Sequence, residues 1–306
     1  MGVNLDSTQE PRLASGPALK DTAALESENF LREFSKSFCR NKMAVAGAVT
    51  ILVITSIAIL APFVAPHDPY QVNLANQFAP PSPTYLLGTD MFGRDVLSRI
   101  IYGARISLLI GLVPTFISLA IGTFLGLVSG YYGGKTDYLI MRLADIVLAF
   151  PSLLLAMVVM YTLGATLLNI FIALSAVRWA RMARVVRAET MSLKEKEFVE
   201  GARAVGVSNS TIIIRHIFPN CVPSLLVLFT LQIPDAILSE ATLSFLGVGA
   251  QPPASSWGLM VSAGKEFLMP APAIAIAPGV AILIVVLAFN FLGDGIRDAI
   301  DPYMKQ

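Results

Sequence analysis

Carboxylates in an oily run are costly in a membrane and signal function or pairing, and the stretch 232–244 carries Gln232, Asp235, Ser239, Glu240 and Ser244 among apolar residues. At about 100° per residue, Gln232, Ser239 and the neighbouring Glu240 are expected on one helix face, with Asp235 at its border. Such groups would line a wet cavity and attract an ammonium group; the competing reading pairs Asp235 or Glu240 with an arginine of a partner subunit, or uses them to cap a backbone defect near Pro234. Asp145, three residues after Arg142, reads as half of a local charge pair.

Other chemistry-bearing patterns fail on context. Ser129–Asp137, SGYYGGKTD, ends like a phosphate loop. A serine holds the leading glycine position, however, and the preceding segment is an apolar helix where a strand is required. Neither HExxH nor GxSxG occurs, and the only histidines are His67 and His216, which argues against an intramembrane hydrolase. Arg178, Arg181, Arg184 and Arg187 repeat every third residue like a voltage sensor, yet they crowd one end of their span and run into Glu189, Lys194 and Glu195. Anchoring at the inner lipid surface is the expected role, and no carbonyl filter follows that would support a standalone six-span channel. Cys39 and Cys221 are too few for a disulfide framework or a thiolate metal site.

The elements that position these residues follow from composition. With 55% hydrophobic and 14% charged residues, the 306-residue chain has more apolar surface than one soluble core can bury. An all-α, polytopic membrane protein is expected, solvated by lipid, and a net charge of +1 gives no electrostatic footprint for nucleic acid. Runs of about 20 apolar residues place six transmembrane helices near Met43–Ala65, Ile106–Ser129, Leu139–Met160, Leu167–Ala183, Val222–Leu246 and Pro272–Leu292. Residues 1–42 read as a polar, partly disordered cytoplasmic tail rather than a cleaved signal peptide, leaving 43–306 as the membrane domain. With the amino terminus inside, 18 of the 22 Lys and Arg fall on the inner side, so both termini are expected in the cytoplasm. Ser118, Gly122, Gly126 and Gly130 form a small-residue stripe expected to pack closely against another helix. The external stretch Pro66–Ala104 is Pro-rich and polar before an amphipathic run, Val96–Tyr102, and is a candidate surface for a partner.

Residues 192–219 break the oily pattern between two spans. Ser192-Leu193-Lys194-Glu195 matches a capping box, and Gly206 fits a left-handed terminator. Between them a helix of about three turns is expected. Ser208–Ser210 then offer caps for a second helix, Ile212–Phe218, expected to end at Pro219. Small Gly201, Ala202 and Ala204 beside charged Glu200 and Arg203 suit entry into a protein groove better than lying on lipid.

Glu200-Gly201-Ala202, Gly206 and Phe218-Pro219 are similar to the EAA motif of bacterial ABC importer permeases, with Gly201 and Phe218 departing from its Ala and Leu. LGTDMFGRDVLSRIIYGARISL, GAQPPASSWGLM and LAFNFLGDGIRDAIDP resemble the C-type permease subunit of dipeptide and oligopeptide transporters, so the resemblance covers the chain from about Phe38. It implies the type I permease fold in the bacterial cytoplasmic membrane, and a chain that is not itself an enzyme. A homologous second permease, two ATPase subunits and an external peptide-binding protein would be its partners. ATP and Mg would belong to the ATPases, with no cofactor or metal in this chain. Glu197, Glu200, Gly201, Ala202, Arg203 and Gly206 would couple it to an ATPase, and Gln232, Asp235, Ser239 and Glu240 are the candidate translocation path. Relatives of this architecture carry nickel or glutathione, so those ligands stand beside peptides.

Overall fold

A computed structural model describes residues 34–300, and they are helical apart from connecting loops and one isolated bridge between Thr89 and Asp95. Most of the expected tail, residues 1–33, lies outside the described residues; residues 34–40 are helical and lead into α1, Lys42–Ile59. The side chain of Asn41 caps α1 by accepting from the amides of Met43 and Ala44. α2, Val96–Tyr132, starts where Asp95 accepts from the Ser98 amide at 2.8 Å. At 37 residues it is about 55 Å long, far more than a bilayer core, so it projects beyond the hydrocarbon.

The amphipathic run Val96–Tyr102 is the beginning of α2 and not a separate surface element, with Val96 fully buried. The segment before it folds on itself. Asp90 pairs with Arg94 at 2.7 Å and Arg99 at 3.6 Å, and also accepts from the Phe92 and Arg94 amides.

α3, Gly134–Ala149, and α4, Ser152–Leu163, replace the expected third span by two helices bent through 89°. The residue before a proline is pushed out of the helical region, and Phe150, preceding Pro151, is extended at φ −94°, ψ 143°. α5, Leu167–Leu193, runs ten residues past the expected end of span four. α6, Glu197–Ala204, follows, then α7, Phe218–Phe245, a short α8, Trp257–Gly264, and α9, Ala273–Ile300. By length and composition, four helical stretches suit a membrane crossing (Lys42–Ile59, Val96–Tyr132, Asn209–Phe245 and Ala273–Ile300), or five if α3 and α4 count as one. α5 is long enough but carries four arginines and Glu189 from Arg178 onward.

The small-residue stripe packs as expected. A Cβ on Gly122 would sit 2.4 Å from Met182 Cβ, and one on Gly126 2.7 Å from both the Ala183 carbonyl oxygen and Val186 Cβ. α2 and α5 therefore lie backbone to backbone, a contact driven by dispersion and shape where lipid supplies no hydrophobic force. Pro114 falls inside α2. Its carbonyl accepts from the hydroxyls of Ser118 at 2.7 Å and Ser175 at 3.3 Å, tying α5 to the helix there. Elsewhere α1 and α7 pack against α9, and α8 wedges between α7 and α9.

Candidate functional site

The first site is the element between α5 and α7. Ser192 does not start a helix: it lies in the last turn of α5, and α6 begins after Lys196, which makes no side-chain cap. The capping-box pattern is overridden because α5 stays anchored there, with the Thr190 carbonyl accepting from the Lys194 amide and Lys194 Nζ reaching the carbonyls of Gly130 and Tyr131 at 3.5 and 3.4 Å. The other end matches expectation. Gly206 has φ +80°, its amide donates to the Arg203 carbonyl at 3.0 Å, and the Val207 amide donates to the Ala202 carbonyl at 3.1 Å. That pair is a Schellman closure, which a residue with a Cβ would strain.

The second helix does not stop at Pro219. After Ser208 caps Asn209–Thr211, the chain passes through a π-helical turn, Ile212–Ile217, and continues without interruption into α7. A proline ring clashes with the carbonyl four residues back and donates no hydrogen bond. The wider π turn relieves both, the Phe218 amide reaching back five residues to Ile213. The result is one 37-residue helical rod from Asn209 to Phe245.

α6 is clamped on one side only. Val199 and Ala202 are buried with Leu127 and Tyr131 of α2, Val186 of α5, Ile212 and Ile217 of the π turn, and Cys221 and Leu225 of α7. The Tyr131 hydroxyl donates to Asn209 Oδ1 at 2.7 Å, and Arg203 lies over the Tyr131 ring at 5.6 Å. Ala202 thus packs inward and does not face a groove. Glu197, Glu200, Gly201 and Arg203 are exposed, with Phe198 44% and Val205 80% exposed beside them. Nothing lies within 4 Å of a Cβ built on Gly201. The outward face is an apolar and charged surface on a rigid base. Sequence reasoning missed Tyr131, Asn209, Phe198 and Val205; bulky Phe198 and Val205 flanking the small residues were the available signal.

The second site is a cavity of about 360 Å³ between the α3–α4 break, α5 and α7. Gln232, Asp235, Ser239 and Thr242 of α7 line it, facing Arg178 and Arg181 of α5 and an apolar wall including Phe150 and Leu153. Arg178 bridges the two helices. Its Nη2 donates to Ser239 Oγ at 2.8 Å, and its Nη1 donates to the Gln232 carbonyl at 3.2 Å and Gln232 Oε1 at 3.4 Å. The structure brings Gln232, Asp235 and Ser239 together but sends Glu240 elsewhere. Glu240 is 1% exposed, and its Oε1 accepts from Ser244 Oγ at 2.7 Å and Ser256 Oγ at 2.8 Å. One residue step turns it about 100° from Ser239, so it fastens the loop before α8 instead of facing the cavity.

Arginines of the row also make specific contacts within the chain. Arg178 enters the cavity wall, Arg184 pairs with Asp145 at 2.6 Å, and Arg187 grips both oxygens of Asp137. Asp145 therefore pairs across helices and not with Arg142, which donates to the Tyr138 hydroxyl at 3.2 Å. Gly133 and Gly134, in the rejected phosphate-loop pattern, take φ +65° and +54° to turn the chain between α2 and α3.

Family models account for both halves of this architecture. Residues 122–306 match the binding-protein-dependent transport system inner membrane component, and residues 29–81 match the N-terminal TM domain of oligopeptide transport permease C. The chain belongs to this permease family. Among relatives of the permease is the dipeptide transport system permease protein DppC of Haemophilus influenzae, 45% identical over 90% of this chain and 96% of that protein. The glutathione transport system permease protein GsiD of Pectobacterium atrosepticum is 40% identical over 96% and 97% respectively. In fold, the permease is similar to a chain of the inward-facing MetNI methionine ABC transporter. The TM-score there is 0.54 at 19% identity, over 66% of this permease and 97% of that chain.

Proposed function

We propose that this permease is the C-type half of an ATP-driven importer of short peptides, working with a homologous second permease, two cytoplasmic ATPases and an external peptide-binding protein. The observation that carries the reading is α6: a short helix closed at Gly206, clamped by Val199 and Ala202 to three membrane helices, with Glu197, Glu200, Gly201 and Arg203 outward. A helix so clamped moves as a unit with its base. ATP binding closes the ATPases and draws the two coupling helices together. The displacement passes through Tyr131 to α2, through Val186 to α5 and along the Asn209–Phe245 rod to the cavity. Hydrolysis reverses it.

In this reading α5 crosses the membrane as a sixth span, with Arg178, Arg184 and Arg187 tolerated because they bond the α7 wall, Asp145 and Asp137, and Arg181 turned to the cavity. Both termini and α6 are cytoplasmic, in accord with the distribution of Lys and Arg. Gln232, Asp235 and Ser239 belong to the translocation path, and Glu240 supports the adjoining loop. The folded external segment before α2 meets the binding protein or the second permease.

Relatives named for dipeptide and for glutathione transport support a ligand with a peptide backbone. Uptake by the assembled complex in proteoliposomes separates the choices. Labelled dipeptides should enter in a manner requiring ATP and the binding protein, while a nickel complex does not; entry of nickel alone would overturn the peptide reading, and preference for glutathione over dipeptides would narrow it to γ-linked peptides.

A further inference from the structure

The cavity between α5 and α7 holds charges of both signs that do not satisfy each other. Asp235 and Arg181 both line it and are exposed, and among the described residues the side chain of neither makes a hydrogen bond or ion pair. Arg178, beside them, feels the Asp235 charge but gives its hydrogen bonds to Gln232 and Ser239. Every other arginine on the row past Arg181 pairs with an aspartate: Arg184 with Asp145 and Arg187 with Asp137. Both charges face a cavity walled on another side by Phe150, Leu153 and Ala156. A site of that kind gains most from a ligand that brings complementary charge at two points.

We propose that this cavity binds a zwitterionic short peptide by its two main-chain ends, Arg181 taking the α-carboxylate and Asp235 the α-ammonium. This rests on the importer reading and assigns the ligand's chemistry to particular side chains. The carboxylate end has a planar cation with forked donors, the geometry that matches a carboxylate in two parallel hydrogen bonds. The ammonium end has an acceptor-only group. Arg178 is a positioning residue: bonded to the Gln232 carbonyl and to Ser239 Oγ, it sets the spacing of the two helices that carry the opposed charges. The apolar wall at the α3–α4 break is left for side chains, which need not be read individually. A volume of about 360 Å³ is near the lower end of ligand sites, roughly 300–1,000 Å³, and suits a peptide of few residues.

Equilibrium binding of a labelled dipeptide to the complete permease–ATPase complex in nanodiscs, with the binding protein omitted, tests this. Four ligands are compared: the free dipeptide, its C-terminal amide, its N-acetyl form and the form capped at both ends. Arg181→Gln should weaken the free dipeptide about tenfold, the loss of one charge-assisted contact, and leave the amide unchanged. Asp235→Asn should weaken the free dipeptide similarly and leave the N-acetyl form unchanged. Arg181→Lys, which keeps the charge, should retain most of the preference for a free carboxylate. Variants that weaken capped and free ligands equally, or alter neither, would overturn the assignment. So would loss of the second permease from the purified complex on either substitution, since the charges would then be partner contacts. The importer reading is judged separately: it fails if the unmodified complex with its binding protein takes up no peptide.

Discussion

Single residues in this permease carry two kinds of load, close approach and fastening. Gly126 permits the first, since a Cβ there would press on the Ala183 carbonyl and Val186 at 2.7 Å. Gly126→Leu should destabilise the detergent-solubilised complex by about 1–3 kcal/mol, as overpacking does, and lower its thermal midpoint. Gly201 is the contrasting case, in open space and at ordinary helical φ. Gly201→Ala should stabilise the permease slightly, by about 0.5–1 kcal/mol, in the same thermal assay performed without the ATPases. Glu240 represents fastening. Its replacement by alanine strands the hydroxyls of Ser244 and Ser256, one of which caps α8. A loss of about 1–3 kcal/mol is expected, together with faster limited proteolysis within 247–256 than in the unmodified protein. The stripe of small residues could be read from sequence because spacing of four along a helix is a local property. The partner of Asp145 could not, because Arg184 is brought to it by helix packing while Arg142 is merely near in the chain.

At the level of elements, the continuity of Asn209–Phe245 matters most. The sequence shows polar residues, small residues and a proline, and each is a reasonable stop signal by itself. Pro219 ends nothing because the π turn before it widens to let the ring in, an outcome that depends on Ile212 and Ile217 being held in the cluster beneath α6. Conversely, Pro151 does break a span that hydropathy alone makes continuous, because Phe150 is forced out of the helical region with no wider turn to absorb it. The same residue type therefore gave opposite results for reasons of surrounding packing. Inserting one alanine after Ile214, which is exposed within the π turn, adds about 100° of helical phase between α6 and α7. The complex carrying that insertion should still hydrolyse ATP while peptide uptake falls at least about tenfold, a loss of 1.4 kcal/mol or more in coupling. Ile214→Ala should leave uptake close to that of the unmodified complex. Equal uptake by both variants would show that helical phase does not transmit motion.

For the whole molecule, the proposed mechanical path joins α6 to the cavity, since α2, α5 and the Asn209–Phe245 rod all contribute to the cluster beneath α6, and α5 and the rod also line the cavity. The glycine terminator at Gly206 and the charged, small-residue helix before it were readable because these features are local. The inward face of that helix was not, and Ala202, expected to meet a partner, instead holds the helix to its own chain. The most direct test of the account places a single cysteine at Glu200, in a background with Cys39 and Cys221 replaced by serine, and treats membranes containing the complete transporter with a short bifunctional crosslinker. Capture of an ATPase subunit at that position, with a yield that changes on ATP binding, is the predicted result. Absence of any ATPase adduct, or labelling of Glu200→Cys by a membrane-impermeant reagent added outside intact cells, would contradict it.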